Sequence, residues 1–272
     1  MADEAIERPR RSPWAFFGLV VVLSVPLYVL NPLVHAAGMP KNMPVLDAAL
    51  AFVPFAAAAI LTARREGAPG IGRLLRRAVD LGRIGRKTWY LPVFLLAPGT
   101  LLASYGLMRL FGVQVAGQPR LPLAAMLVLP LVFLVAAAGE ELGWTGYATD
   151  PLQERLGALG AALVLGTVWW AWHLPSIVQS GQPPVLVALG ALAAIGGRVV
   201  WVWIYHGTGR SVAAIIVVHA LANVCGSFVP SVPTGAGGPV TVVLAVTVTV
   251  LWGARTLARF RFAGRARADA SP

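Results

Sequence analysis

Apolar residues run along this chain in blocks long enough to cross a bilayer, not as the one-sided stripes of water-soluble helices. Eight blocks stand out, at about Trp14 to Ala36, Met43 to Ala63, Thr88 to Phe111, Leu121 to Tyr147, Ala158 to Gln179, Pro184 to Tyr205, Ser211 to Val229 and Pro239 to Ala254. A spanning helix needs about 20 mostly apolar residues. The pattern therefore predicts an all-α polytopic membrane protein, a bundle of about eight transmembrane helices. The longest stretch between blocks, Arg64 to Lys87, is too short and too basic to build a core of its own, so residues 1–272 read as a single integral membrane domain. The first block is too long for a signal-peptide core and no clear small-residue cleavage site follows it, which predicts a retained helix.

Composition agrees: 57% of the 272 residues are hydrophobic and only 12% are charged, with mean hydropathy +0.73. The net charge of +11 would suit nucleic acid, but its placement argues for topology. Arg8, Arg10 and Arg11 precede the first block. Arg64, Arg65, Arg73, Arg76, Arg77, Arg83, Arg86 and Lys87 fill the loop after the second, and Arg255, Arg259, Arg261, Arg265 and Arg267 follow the last. With eight spans all three clusters fall on one side, which the positive-inside rule makes cytoplasmic, together with both termini. The opposite loops hold little beyond Lys41 and Arg120. The basic residues then serve orientation and attraction to anionic membrane lipids, with no nucleic-acid partner. A lone Cys225 offers no intramolecular disulfide. Abundant alanine, glycine and arginine with scarce lysine fit a GC-rich bacterial genome and hence a bacterial cell membrane.

Between Arg64 and Lys87, Leu74, Leu75, Val79 and Leu81 alternate with arginines, the pattern of an interfacial amphipathic helix. Ser180 to Pro184 and Ser231 to Pro239 are Gly/Pro-rich turns, and the tail from Gly264 reads as disordered. His35 and His206 fall at block ends, where histidine is ordinary, Arg210 reads as a cytoplasmic anchor, and Asp47 needs no special role.

Ionisable residues inside the apolar blocks carry the chemistry, because each costs at least about 2.5 to 3.5 kcal/mol to insert. They concentrate in the fourth to seventh blocks: Glu140 and Glu141, His173, Arg198, His219. Adjacent glutamates point about 100° apart on a helix and should not aim at one centre, so one is a candidate actor and the other a support. His219 and Asn223 lie one turn apart on a common face. Counting about 1.5 Å per residue from the cytoplasmic ends puts Glu140 about 15 Å deep, His219 about 14 Å and His173 about 27 Å. His173 joins the others only if Glu154 to Gly160 forms a turn, with Gly157 and Gly160 as punctuation. Trp169, Trp170 and Trp172 could wall off lipid, and Trp144 is a weaker candidate for the pocket wall.

A carboxylate beside imidazoles in a cavity walled by helices suits hydrolysis, in which the carboxylate takes a proton from water while imidazole and amide groups steady the oxyanion. Glu140, His173 and His219 could equally form a His₂Glu set holding Zn²⁺ with an open position, although no HExxH is present. A proton-coupled transporter, or a scaffold or immunity protein acting by binding, would use the same polar groups, but the related halves common in transporters are not visible.

GEELGWTGY (Gly139 to Tyr147), WWAWHLP (Trp169 to Pro175) and GRSVAAIIVVHALANV (Gly209 to Val224) resemble the three motifs of the CPBP family of intramembrane proteases, which includes the type II CAAX prenyl endopeptidases and bacteriocin-immunity or lysostaphin-resistance relatives. The resemblance covers a protease core at about 121–224. It implies an eight-helix fold with a catalytic cavity open to the cytosol, and an intramembrane endopeptidase acting on a lipidated or membrane-associated peptide that enters from cytosol or lipid. It also implies Glu140 as the water-activating glutamate, His173 as its assistant or a metal ligand, and His219 with Asn223 at the oxyanion or metal site. Both zinc-dependent and metal-free glutamate mechanisms are compatible with it. The first motif commonly reads EExxxR, and here Thr145 stands at the arginine position. Glu141 then needs another partner, because an unpaired buried carboxylate would be protonated. Arg198, alone within the sixth block, is the expected partner.

Overall fold

The computed structural model of the protein describes residues 11–34, 46–115, 123–229 and 232–261. Arg8, Arg10, His35, Lys41, Arg120, Arg265, Arg267 and the tail from Gly264 lie outside them. Among the described residues the fold is all-α: α1 Pro13–Leu30, α2 Asp47–Leu50, α3 Val53–Arg76, α4 Tyr90–Leu110, α5 Leu123–Gly143, α6 Asp150–Gln179, α7 Pro184–Gly207, α8 Val212–Phe228 and α9 Gly238–Trp252. Helix α1 starts where Ser12 Oγ accepts the Ala15 N–H and Pro13 supplies a first-turn proline.

Six helical stretches are long and apolar enough to cross a membrane, and Val212–Phe228 is a shorter apolar helix. Eight separate blocks become fewer stretches because helix follows on helix between the fourth and fifth, from Met126 to Gln179 over 54 residues, with a break inside at Gly157. Helical bonding persists between them through a π-helical segment, Trp144–Thr149, and the first turns of α6. The break falls at Gly157, whose φ of 71° lies in the left-handed region. There Ala158 and Leu159 donate their N–H groups to the carbonyls of Arg255 and Ala254, both at 2.9 Å, so the segment after α9 caps a fresh helix start. Gly157 thus makes the expected turn. Gly160 lies within the helix and punctuates nothing.

The Arg64 to Lys87 loop is helical in part: α3 breaks at the non-helical backbone of Gly67, a second helical piece runs on to Arg76, and a 3₁₀ segment, Arg77–Arg83, follows. Leu74 is buried while Val79 is exposed. The segment is stapled to the turn between α7 and α8, with Arg77 Nη2 donating to the Arg210 carbonyl at 2.6 Å and Arg83 Nε to the Gly209 carbonyl at 2.9 Å. Asp80 Oδ1 accepts from Ser211 Oγ and the Ala213 N–H, which caps α8.

Outward faces are apolar, with Leu102, Leu127, Leu131 and Val135 among many exposed aliphatics. That is inverted relative to a water-soluble bundle and fits lipid contact. Close helix contacts rest on small residues such as Ala57, Ala58, Ala161 and Ala162, all buried.

Candidate active site

Close backbone approach puts the glutamates in place. A Cβ on Gly139 would stand 2.6 Å from the Ala51 carbonyl oxygen, and one on Gly143 would stand 2.5 Å from that of Pro54. These two glycines, four apart, form the face on which α5 crosses the start of α3, so Glu140 and Glu141 between them project elsewhere, into the bundle. Just beyond, α5 widens into the π-helical segment, where Thr149 Oγ1 donates to the Trp144 carbonyl five residues back. π-Helical turns often accompany functional sites.

Glu141 is wholly buried and fully partnered. Arg198 Nη1 donates to Glu141 Oε2 at 2.9 Å and Nη2 to Oε1 at 3.2 Å, a two-pronged pair, and Thr145 Oγ1 donates to Oε2 as well. Thr145 occupies the position where an arginine would be expected, and the cation arrives instead from α7. The remaining contact is the Nδ1–H of His219, 3.0 Å from Glu141 Oε1. A carboxylate held by arginine only accepts, so it keeps a proton on Nδ1 and leaves Nε2 as the working nitrogen. Nε2 lies 3.9 Å from Glu140 Oε1. The expectation that the two glutamates could not serve one centre is therefore corrected: they flank one imidazole, which spans the angle between them with its two nitrogens.

Glu140 is 7% exposed, and Trp169 Nε1–H donates to its Oε2 at 2.7 Å. Read from the sequence, Trp169 offers only bulk, and its N–H is the contact that residue type alone failed to disclose. His173, one turn on, donates Nδ1–H to the Trp169 carbonyl at 2.9 Å, leaving Nε2 as acceptor. Trp172 is tied away to Ser24 of α1. Trp144 is buried against Phe16, with ring centroids 5.2 Å apart, and it is not in the cavity wall. His206 bonds Gln153 at 2.7 Å, outside the cluster. Asp47 does have a structural role: Oδ1 accepts from Asn31 Nδ2 and Ser176 Oγ, fastening α1 and α2 to α6.

A cavity of about 560 Å³ opens beside this cluster, walled by α4, α7, α8 and α9. His219, Asn223, Arg198 and Trp169 line it, and its wall continues to Val232 and Gly237 near the start of α9. None of the arginine-rich 64–87 segment is in that wall. Most of the lining is aliphatic or aromatic, a surface for an apolar ligand with a few polar groups at one end.

Among the described residues no three His, Cys, Asp or Glu side chains are grouped to hold one metal ion. Glu140 Oε1 and His219 Nε2 stand 3.9 Å apart, and His173, its Nδ1–H given to a carbonyl and its Nε2 open, is not grouped with them. As folded, this donor set does not fit a three-ligand zinc site.

Residues 122–225 match the family model described as type II CAAX prenyl endopeptidase Rce1-like. The chain is also 37% identical over 130 residues to CAAX prenyl protease 2 of Methanococcus maripaludis, a match covering 46% of this chain and 47% of that relative. The chain thus spans about half the length of the curated relative it matches.

Proposed function

We propose that this protein, whose residues 122–225 match the Rce1-like type II CAAX prenyl endopeptidase model, is a member of that family and an intramembrane endopeptidase that hydrolyses a peptide bond of a lipidated or membrane-associated substrate. The observation that carries the reading is the pair formed by Glu140 Oε1 and His219 Nε2 at 3.9 Å, backed by the buried Glu141–Arg198 bridge. One water fits between two such atoms at ordinary hydrogen-bond lengths. Glu140 takes a proton from that water, and the resulting hydroxide adds to the scissile carbonyl carbon. His219 in its imidazolium form, held by Glu141, and the Asn223 amide steady the oxyanion. The proton then passes to the departing nitrogen as the C–N bond breaks. His173, with Nε2 free to accept, assists the proton movement. No step passes through a metal.

The 54-residue stretch Met126–Gln179 would measure about 81 Å as one rod, far beyond a hydrocarbon core of about 30 Å. It crosses twice, reversing near Gly157. With α8 we count eight crossings, and the positive-inside rule supports a cytoplasmic side for the arginine-rich ends of α1 and α9 in a bacterial cell membrane.

The test is peptide release from purified protein in lipid vesicles, using a peptide ending in a prenylated cysteine segment and its unprenylated twin, with wild type against Glu140→Gln. Release by wild type that is lost in the folded variant is the expected result. Equal release by both would sink the mechanism.

A further inference from the structure

Trp169 meets Glu140, His173, His219 and Arg198. Its indole N–H holds Glu140 Oε2 and its carbonyl holds His173 Nδ1. Its ring centroid lies 4.2 Å from that of His173 and 5.9 Å from that of His219, edge-on to the latter. The Arg198 guanidinium carbon stands 5.8 Å from the same ring. Trp169 also lines the cavity, whose wall includes His219 and Asn223 and not Glu140 or His173.

A residue needed only for bulk would not spend a donor on a buried carboxylate. Glu140 has little water around it, so each oxygen needs a partner or a task. Binding of Oε2 by the indole gives Oε2 the partner and Oε1 the task, because rotation of the carboxylate is blocked while Oε1 faces His219 Nε2.

We propose that Trp169 is the positioning residue of the reaction: its indole N–H fixes which Glu140 oxygen faces His219 beside the cavity that receives substrate. The assignment rests on the hydrolytic reading above. It concerns orientation, so its loss lowers turnover and leaves substrate affinity nearly unchanged.

Trp169→Phe keeps an aromatic ring and removes the donor. In the vesicle assay kcat falls about tenfold to a hundredfold, the scale of a lost hydrogen bond to a charged group, while KM stays within about twofold. A contact readout is independent of activity. Of the nine tryptophan indole N–H signals in the ¹⁵N correlation spectrum, the one missing from Trp169→Phe is the one displaced most by Glu140→Gln, and Trp169→Tyr supplies the assignment should the Phe variant not fold. An unmoved Trp169 signal in Glu140→Gln, or wild-type kcat in Trp169→Phe beside an inactive Glu140→Gln, overturns the assignment alone. Wild-type cleavage by Glu140→Gln overturns the hydrolytic reading and the assignment with it.

Discussion

Arg198 grips Glu141 by both carboxylate oxygens, at 2.9 and 3.2 Å, with the arginine 3% and the glutamate 0% exposed. Removing one partner leaves an uncompensated buried charge, which costs about 3 to 5 kcal/mol. Arg198→Met is expected to lower thermal stability in detergent by that order, and the double variant Arg198→Met with Glu141→Gln to recover much of it. A double-mutant cycle on melting measures the coupling, and additive losses would show that the bridge is not a unit.

The two glutamates separate kinetically. Glu140→Gln removes the proton acceptor and lowers kcat by at least about a hundredfold with the fold intact. Glu141→Gln keeps the shape and weakens the hold on His219, so it combines a smaller loss of turnover with a loss of stability. Circular dichroism melts beside peptide-release rates distinguish the two, and equal effects on both readouts would contradict the division of roles.

Gly157→Ala meets a left-handed backbone, φ 71°, and a Cβ 3.4 Å from the Arg255 carbonyl oxygen. With ψ at 173° this is backbone essentially reserved for glycine, and the strain is about 1 to 3 kcal/mol. A drop in melting temperature is expected, along with faster proteolysis of the segment after α9, whose carbonyls cap Ala158 and Leu159. An unchanged melt would mean that the reversal lies elsewhere.

Asp80→Ala removes the acceptor shared by Ser211 and the Ala213 N–H and costs about 0.5 to 2 kcal/mol as a lost cap. Because α8 carries His219, amide exchange should rise in the first turns of that helix. Unaltered exchange there would sever the proposed link between the basic segment and the site.

The donor geometry predicts a metal-independent reaction. Purified wild type should hold well under one zinc per chain by elemental analysis and keep its rate after dialysis against a chelator. One zinc per chain that disappears in His219→Ala would reverse this.

Membrane insertion, the all-α class and the identity of Glu140, His173 and His219 as unusual residues are legible in the sequence, because apolar run length and the cost of intramembrane charge are local, additive properties. The need of Glu141 for a partner from outside its own motif was also legible, since Thr145 cannot neutralise a carboxylate. The sequence could not show that helical bonding runs on past Tyr147 to the break at Gly157, because hydrophobicity does not record whether hydrogen bonding continues through a polar segment. Nor could it bring two adjacent glutamates to one imidazole or turn the Trp169 indole onto Glu140. Those depend on how α5, α6 and α8 cross, which the close contacts at Gly139 and Gly143 and the cap from Asp80 decide, and such through-space distances have no counterpart in residue order.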